Sequence, residues 1–73
     1  MDLQIRFEPE CAKTPDTFVT VDTGRVEDAL AIAKSIAAAN FPATRQIMIH
    51  DAYGVPLGCW EHNDGSWSVC HDA

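Results

Sequence analysis

The segment from Arg25 to Asn40, RVEDALAIAKSIAAAN, is the feature that most constrains the fold of this chain. Its apolar residues recur at intervals of three and four, which is typical of an amphipathic α-helix. Many of its residues are alanines, which favour helix and let another layer approach closely without leaving voids. The predicted apolar face needs a partner layer and comprises Val26, Ala29, Leu30, Ala33, Ile36 and Ala37.

The segments on both sides of this helix show the two-residue alternation of strands. Every second residue from Leu3 to Phe7 is apolar, and Pro9 ends the run. The β-branched and aromatic segment TFVTVD, residues 17–22, predicts a second strand antiparallel to the first. Three further strands are predicted after the helix, at residues 44–51, 55–62 and 66–70.

The helix has recognisable start signals. Asp22 and Thr23 offer capping oxygens just before it. Glu27 and Asp28 place negative charge at the positive end of the helix dipole, which explains these two acids without invoking a function.

The helix also has stop signals. Asn40 tolerates the left-handed backbone that ends many helices, and Pro42 cannot continue the helix. We expect Phe41 to fold back onto the core.

The element order β-β-α-β-β-β predicts an α+β fold. Residues 1–73 form a single domain in this interpretation, with an antiparallel sheet of four to five strands and one α-helix packed on one face. The other face of the sheet is left to solvent or to a partner. A chain of 73 residues buries too little surface for a deep, enclosed active site.

The last hairpin has two possible registers. A two-residue turn at 64–65 places Cys59 opposite Cys70, whereas a three-residue loop at 63–65 turns Trp60 to the exposed face. We favour the three-residue loop because it gathers a more uniformly apolar set on one face. That set is Leu57, Cys59, Trp67 and Val69.

Three cysteines cannot form a complete set of disulfides, and the absence of an export signal favours reduced thiols. Two cysteines and two histidines near the C-terminus raise the alternative of a metal or thiol site. Neighbouring strand residues point to opposite faces, so Cys70 and His71 are poorly placed to share a metal. We therefore predict no metal, no cofactor and no enzyme activity. The alternative site comprises Cys59, His62, Cys70 and His71.

The charge balance is the most informative bulk property. Eleven Asp and Glu residues against five Lys and Arg residues give a net charge of −6. This charge disfavours direct binding to nucleic acid, since affinity for phosphates comes mainly from basic side chains. It favours a basic protein surface as partner. The chain also has no signal peptide and no apolar run long enough to span a membrane, so we expect a cytoplasmic protein without membrane contact.

The order of these elements resembles that of small phage-encoded anti-CRISPR proteins of type I systems. The resembling segments within residues 17–70 are EDALAIAKSIAAAN, RQIMIHDAYG and GCWEHNDGSWSVC. The resemblance is one of architecture and fixes no contact residue. It implies a non-enzymatic inhibitor that binds a Cas subunit of the crRNA-guided surveillance complex, or its nuclease, and blocks recognition of target DNA. An acidic chain would act by covering a basic, nucleic-acid-binding surface.

The predicted contact residues surround the last two turns, with two further acids on the helix. Two other classes stay open: a small bacterial or phage regulatory or antitoxin-like protein-binding domain, and a Cys/His metal or thiol protein. The protein is expected to be a monomer or a homodimer paired through its last strand. The contact residues are Asp51, Tyr53, Trp60, Glu61 and Asp64, followed by Glu27 and Asp28.

Overall fold

A computed structural model describes residues 2–70 as five strands and one helix in the order β-β-α-β-β-β. The elements are β1 (Asp2–Pro9), β2 (Thr17–Asp22), α1 (Val26–Asn40), β3 (Thr44–Asp51), β4 (Pro56–Asn63) and β5 (Ser66–Val69). All paired strands are antiparallel, and they form one sheet in the order β2-β1-β3-β4-β5. The predicted α+β fold, with one helix on an antiparallel sheet, is confirmed.

The helix connects two strands that are not neighbours. Both β2 and β3 pair with β1 in the antiparallel sense, so they run parallel to each other with β1 between them. A connection between parallel strands must cross the sheet, and α1 makes that crossing over one face. This crossing leaves the other face, which we call the open face, without a covering layer of secondary structure among residues 2–70.

The core lies between α1 and the two central strands, β1 and β3. The helix contributes small residues, so its backbone approaches the sheet closely. The partly buried side chains Val26, Leu30 and Ile36 pack around this centre, which confirms the predicted helix face. The buried apolar residues are Leu3, Ile5, Phe7, Ala29, Ala33, Ala37, Ile47 and Ile49.

The predicted N-cap of α1 is wrong, whereas the predicted end of the helix at Asn40 is confirmed. The N-cap residue is Arg25, which makes no side-chain cap hydrogen bond, and Thr23 Oγ1 accepts a hydrogen bond from the Arg25 N–H at 3.2 Å. Asp22 belongs to β2, directly opposite Asp2, and so lies too early in the chain to cap the helix. At the other end α1 stops at Asn40 without the left-handed backbone, since the one non-glycine residue with positive φ among residues 2–70 is Asp64.

The chain leaves α1 through an aromatic contact. The Phe41 N–H donates to the Ala37 carbonyl at 2.9 Å, and its ring centroid lies 5.3 Å from that of Phe7. The Thr44 hydroxyl donates to the Phe41 carbonyl at 2.7 Å, which holds the connection to β3 in place. The expectation that Phe41 folds back onto the core is confirmed.

The last hairpin adopts the two-residue turn, so the favoured three-residue loop is wrong. Trp60 lies opposite Val69, and His62 lies opposite Trp67. Asp64 and Gly65 have φ of 49° and 84°, the left-handed pair that matches the twist of a two-residue hairpin. The ring of Trp60 lies over Gly58, where an added Cβ would come within 2.3 Å of it. Trp60 lies opposite the core residue Ile47 and packs against the core, so it is half-buried on the α1 side of the sheet.

We expect Ala33→Leu to destabilise the protein by about 1–3 kcal/mol, because Ala33 is fully buried between α1 and the sheet and a larger side chain overpacks the core. Ala31→Leu is the matched control, since Ala31 lies exposed on the same helix. Urea unfolding measures both variants. Equal losses would contradict the close approach of α1 to the sheet.

We expect Gly58→Ala to cost about 1–3 kcal/mol in the wild-type chain, because the new methyl group displaces the Trp60 ring. In a Trp60→Leu background the same change should cost much less, since the ring is gone. A double-mutant cycle by urea unfolding measures this coupling. Additive losses would contradict the contact between the Trp60 ring and Gly58.

Candidate interaction surface

The predicted contact residues lie at opposite ends of the sheet. Asp51 is the last residue of β3 and Tyr53 lies in the turn that follows it, whereas Asp64 lies in the turn between β4 and β5. The eight-residue strand β4 separates these turns by roughly 25 Å. Glu61 lies near the second turn, so the five first-choice residues do not form one patch.

The first of these ends collects carboxylates from four elements. Asp2 lies opposite Asp22 in neighbouring strands, and the neighbouring residue Leu3 lies opposite Asp51. Because α1 begins shortly after β2 ends, its first turn lies at the same end of the molecule. We call this region the acidic end. Its carboxylates are Asp2, Asp22, Glu27, Asp28 and Asp51.

An arginine lies among these five carboxylates. Arg25 Nη2 donates to Glu27 Oε1 at 2.9 Å, and Arg25 Nε lies 3.9 Å from Asp28 Oδ2. The hydrogen bond from Arg25 holds the pKa of Glu27 below its usual range. One guanidinium does not balance five carboxylates, so the acidic end carries net negative charge.

The other basic residues are distributed differently. Arg6 Nε lies 2.7 Å from Asp16 Oδ2, and Arg45 pairs with Glu8. Asp16, Glu8 and Lys13 all lie in or beside the connection from β1 to β2, away from the acidic end. The net charge of −6 is therefore spread unevenly over the molecule.

The turn between β3 and β4 displays Tyr53 next to the acidic end. Asp51 Oδ1 accepts hydrogen bonds from the N–H groups of Tyr53 at 2.8 Å and Val55 at 2.9 Å. The Asp51 N–H donates to the Val55 carbonyl at 3.0 Å, and Gly54 supplies the positive φ that the turn requires. Tyr53 is 91% exposed on this ordered turn. An aromatic side chain held in this way has little backbone freedom left to lose on binding.

The structure changes the assessment of three predicted contact residues: Trp60 becomes a weaker candidate, and Glu27 and Asp28 become stronger ones. Trp60 is half-buried against the core, so the expectation of an exposed contact residue is wrong. Glu27 and Asp28, the two further contact acids predicted on the helix, lie at the acidic end together with Asp51. Sequence reasoning missed Asp2 and Asp22, because their pairing depends on the register set by the connection between β1 and β2.

The structure describes three members of the alternative metal or thiol site, Cys59, His62 and Cys70, and joins the two cysteines to each other. Cys59 and Cys70 form a disulfide with a Cα–Cα distance of 5.4 Å, so the expectation that they are reduced thiols is wrong for this pair. The ring of His62 lies 4.8 Å from that of Trp67, on the α1 side of the sheet. His71 lies outside the described residues. Within residues 2–70, no group of three or more His, Cys, Asp or Glu side chains is arranged to hold a metal ion.

Cys11 is a free and exposed thiol, which differs from the expectation of cysteines buried as small core residues. Hydrogen bonds from the backbone of Lys13 and from the Thr14 side chain lower the pKa of this thiol. It lies in the connection between β1 and β2, at the end opposite the acidic end.

No protein-family model, curated protein or solved structure matches this chain. Among residues 2–70, no helix combines the length and the apolar character needed to cross a bilayer.

We expect reduction of the Cys59–Cys70 disulfide to lower the free energy of unfolding by about 2–3 kcal/mol, because the bond closes a short loop in the unfolded chain. Urea unfolding with and without a reducing agent measures the loss. Cys11→Ser should show the same loss on reduction, and a Cys59→Ala/Cys70→Ala double variant should show none. A double variant that still responds to the reducing agent would contradict this assignment.

Proposed function

We propose that this chain is a small non-enzymatic inhibitor that binds a basic protein surface through its acidic end and Tyr53. The partner that we propose is a Cas subunit of a type I CRISPR surveillance complex, on the surface that binds nucleic acid. The observation that carries the proposal is the concentration of carboxylates around an exposed, ordered aromatic turn.

The charge distribution supports a basic partner. Carboxylates at the acidic end come from β1, β2, α1 and β3, while most basic side chains of the protein lie elsewhere. Such an arrangement attracts a lysine- and arginine-rich surface and orients the encounter, which raises the association rate more than it raises final affinity. It also repels the phosphates of nucleic acid.

Tyr53 supports a specific contact within this electrostatic encounter. Tyrosine is enriched among the residues that dominate binding energy, since it buries a large ring and keeps a polar hydroxyl. Asp51 fixes the turn through one carboxylate oxygen, and its charge lies beside the ring. The partner surface would place an apolar pocket next to a cluster of basic side chains.

The resemblance in architecture supplies the choice of partner, and this step is an analogy between folds. Nucleic-acid channels of surveillance complexes are lined with basic side chains that contact phosphates. An acidic protein seated there occupies the positions that target DNA needs. Inhibition then requires neither cleavage nor a cofactor.

The first test measures binding of the purified protein to a type I surveillance complex at low and at raised salt. We expect binding that weakens as salt rises, since the encounter is electrostatic. We expect Tyr53→Ala to weaken binding about tenfold or more, as is usual for a dominant contact residue. Target-DNA binding by the same complex is the functional readout, and it should fall as the protein is added.

Two double variants with equal net charge locate the contact. Asp28→Asn with Asp51→Asn removes two charges from the acidic end, and the new amide oxygen at position 51 can still accept the turn hydrogen bonds. Glu61→Gln with Asp64→Asn removes two charges from the opposite end. We expect the first pair to weaken binding about tenfold and the second by less than about twofold. Equal effects would contradict a localised contact, and absence of binding would contradict the proposed partner.

A further inference from the structure

We propose that β2 is a self-association edge, through which two copies of this chain form one continuous ten-stranded sheet. The sheet order ends at β2, so one side of this strand has no neighbouring strand among residues 2–70. The strand has six residues, and its register with β1 is unbroken from Asp2–Asp22 to Phe7–Thr17. A regular edge strand offers a row of N–H and C=O groups to another strand.

The side chains of β2 do not block such pairing. Edge strands are usually protected by charged residues, proline, bulges or short length. The segment from Thr17 to Val21 contains no charge, no proline and no glycine. Phe18 lies on the open face and is 56% exposed. A neighbouring strand would cover part of this ring.

The opposite edge of the sheet is less suited to pairing. Strand β5 has four residues, and the disulfide at Cys70 follows it immediately. It is therefore shorter than β2 and ends where the cross-link to β4 begins. The β2 edge is therefore the better candidate, and pairing through the last strand stays an alternative that the variants below distinguish.

A second copy fits the β2 edge by symmetry. The uncharged segment 17–21 overlaps fully with its own antiparallel copy when Val19 lies opposite Val19 on a two-fold axis. Phe18 then lies opposite Thr20 of the second copy, and Thr17 lies opposite Val21. Residues directly opposite each other share a face in an antiparallel pair, so both helices lie on the same side of the joined sheet.

Repulsion between negative charges on the two copies opposes this dimer at low salt. Outside the uncharged segment, Asp16 of one copy would face Asp22 of the other, and the Asp16 carboxylate is already paired with Arg6. Each copy carries a net charge of −6, so the two copies repel each other overall. We expect added salt to strengthen the dimer, whereas it should weaken binding to a basic partner. The opposite salt dependences distinguish the dimer from binding to a basic partner, so either one can be absent without the other.

Sedimentation velocity over a concentration series tests the proposal with two matched variants. Thr20→Glu and Ser68→Glu each add one charge to an exposed hydroxyl position on the open face, one on each edge strand. In the dimer, the new carboxylates at position 20 of the two copies would lie diagonally opposite each other and near Asp16. We expect Thr20→Glu to raise the dimer Kd about tenfold and Ser68→Glu by less than about twofold.

Cross-linking tests the position of the two-fold axis. In a Cys11→Ser background, Val19→Cys should form a disulfide between copies on mild oxidation, while Thr17→Cys should not, since residue 17 faces residue 21. Far-ultraviolet circular dichroism checks that each variant is folded. A monomer at all concentrations up to about 1 mM, or a dimer more sensitive to Ser68→Glu, would overturn the proposal. A disulfide between copies in the Thr17→Cys variant but not in the Val19→Cys variant would contradict a two-fold axis at Val19.

Discussion

Close packing of the alanine face of α1 on β1 and β3 is the contact on which the rest of this structure depends. Ala29, Ala33 and Ala37 are buried against a sheet whose own core residues are large, so the bulk of the core comes from the strands and the helix acts as a close-fitting cover. A chain this small has a thin margin of stability, and its fully buried apolar residues form one cluster between the helix and the sheet. This one contact also determines which face of the sheet stays open, and with it the surface on which Phe18 and the disulfide lie.

The crossover through α1 also explains the charge distribution. The β1–β2 hairpin brings the start of β1 and the end of β2 together, and the crossover adds the end of β3 and the first turn of the helix at the same end of the molecule. Acids favoured there by the helix dipole, such as Glu27 and Asp28, therefore join strand carboxylates that are distant in sequence. The acidic end is thus a product of topology, and Tyr53 is presented beside it because Asp51 both carries charge and fixes the turn.

Most of the fold was predictable from the sequence because the periodicities are strong. The buried face of α1 follows directly from its spacing of three and four, and the alternation in β1 and β3 identifies their core side chains. The apolar pattern alone predicts the wrong register for the last hairpin, because the observed face combines Trp60, Trp67 and Val69 with the polar His62, and the two-residue turn depends on the left-handed backbone of Asp64 and Gly65. The Asp2–Asp22 pair was missed for a related reason, since a strand register across a proline-rich connection cannot be counted from the sequence. The predicted N-cap is wrong because the connection from β2 makes Arg25 the N-cap, while Asp22 lies within the strand.

The placement of β1 at the centre of the sheet has a consequence for how this protein folds. Strand β1 pairs on one side with β2, which is close to it in sequence, and on the other side with β3. In the second pair Phe7 lies opposite Ile47, and both β2 and α1 lie between these residues in the chain. The β1–β2 hairpin can form locally, but the second edge of β1 stays unpaired until α1 has crossed and β3 has arrived. The hydrophobic surface of both the hairpin and the helix is exposed during that interval. We therefore expect closure of this long loop to be the slow, non-local step of folding, at which a chaperone or a second unfolded chain would compete for the same apolar surface.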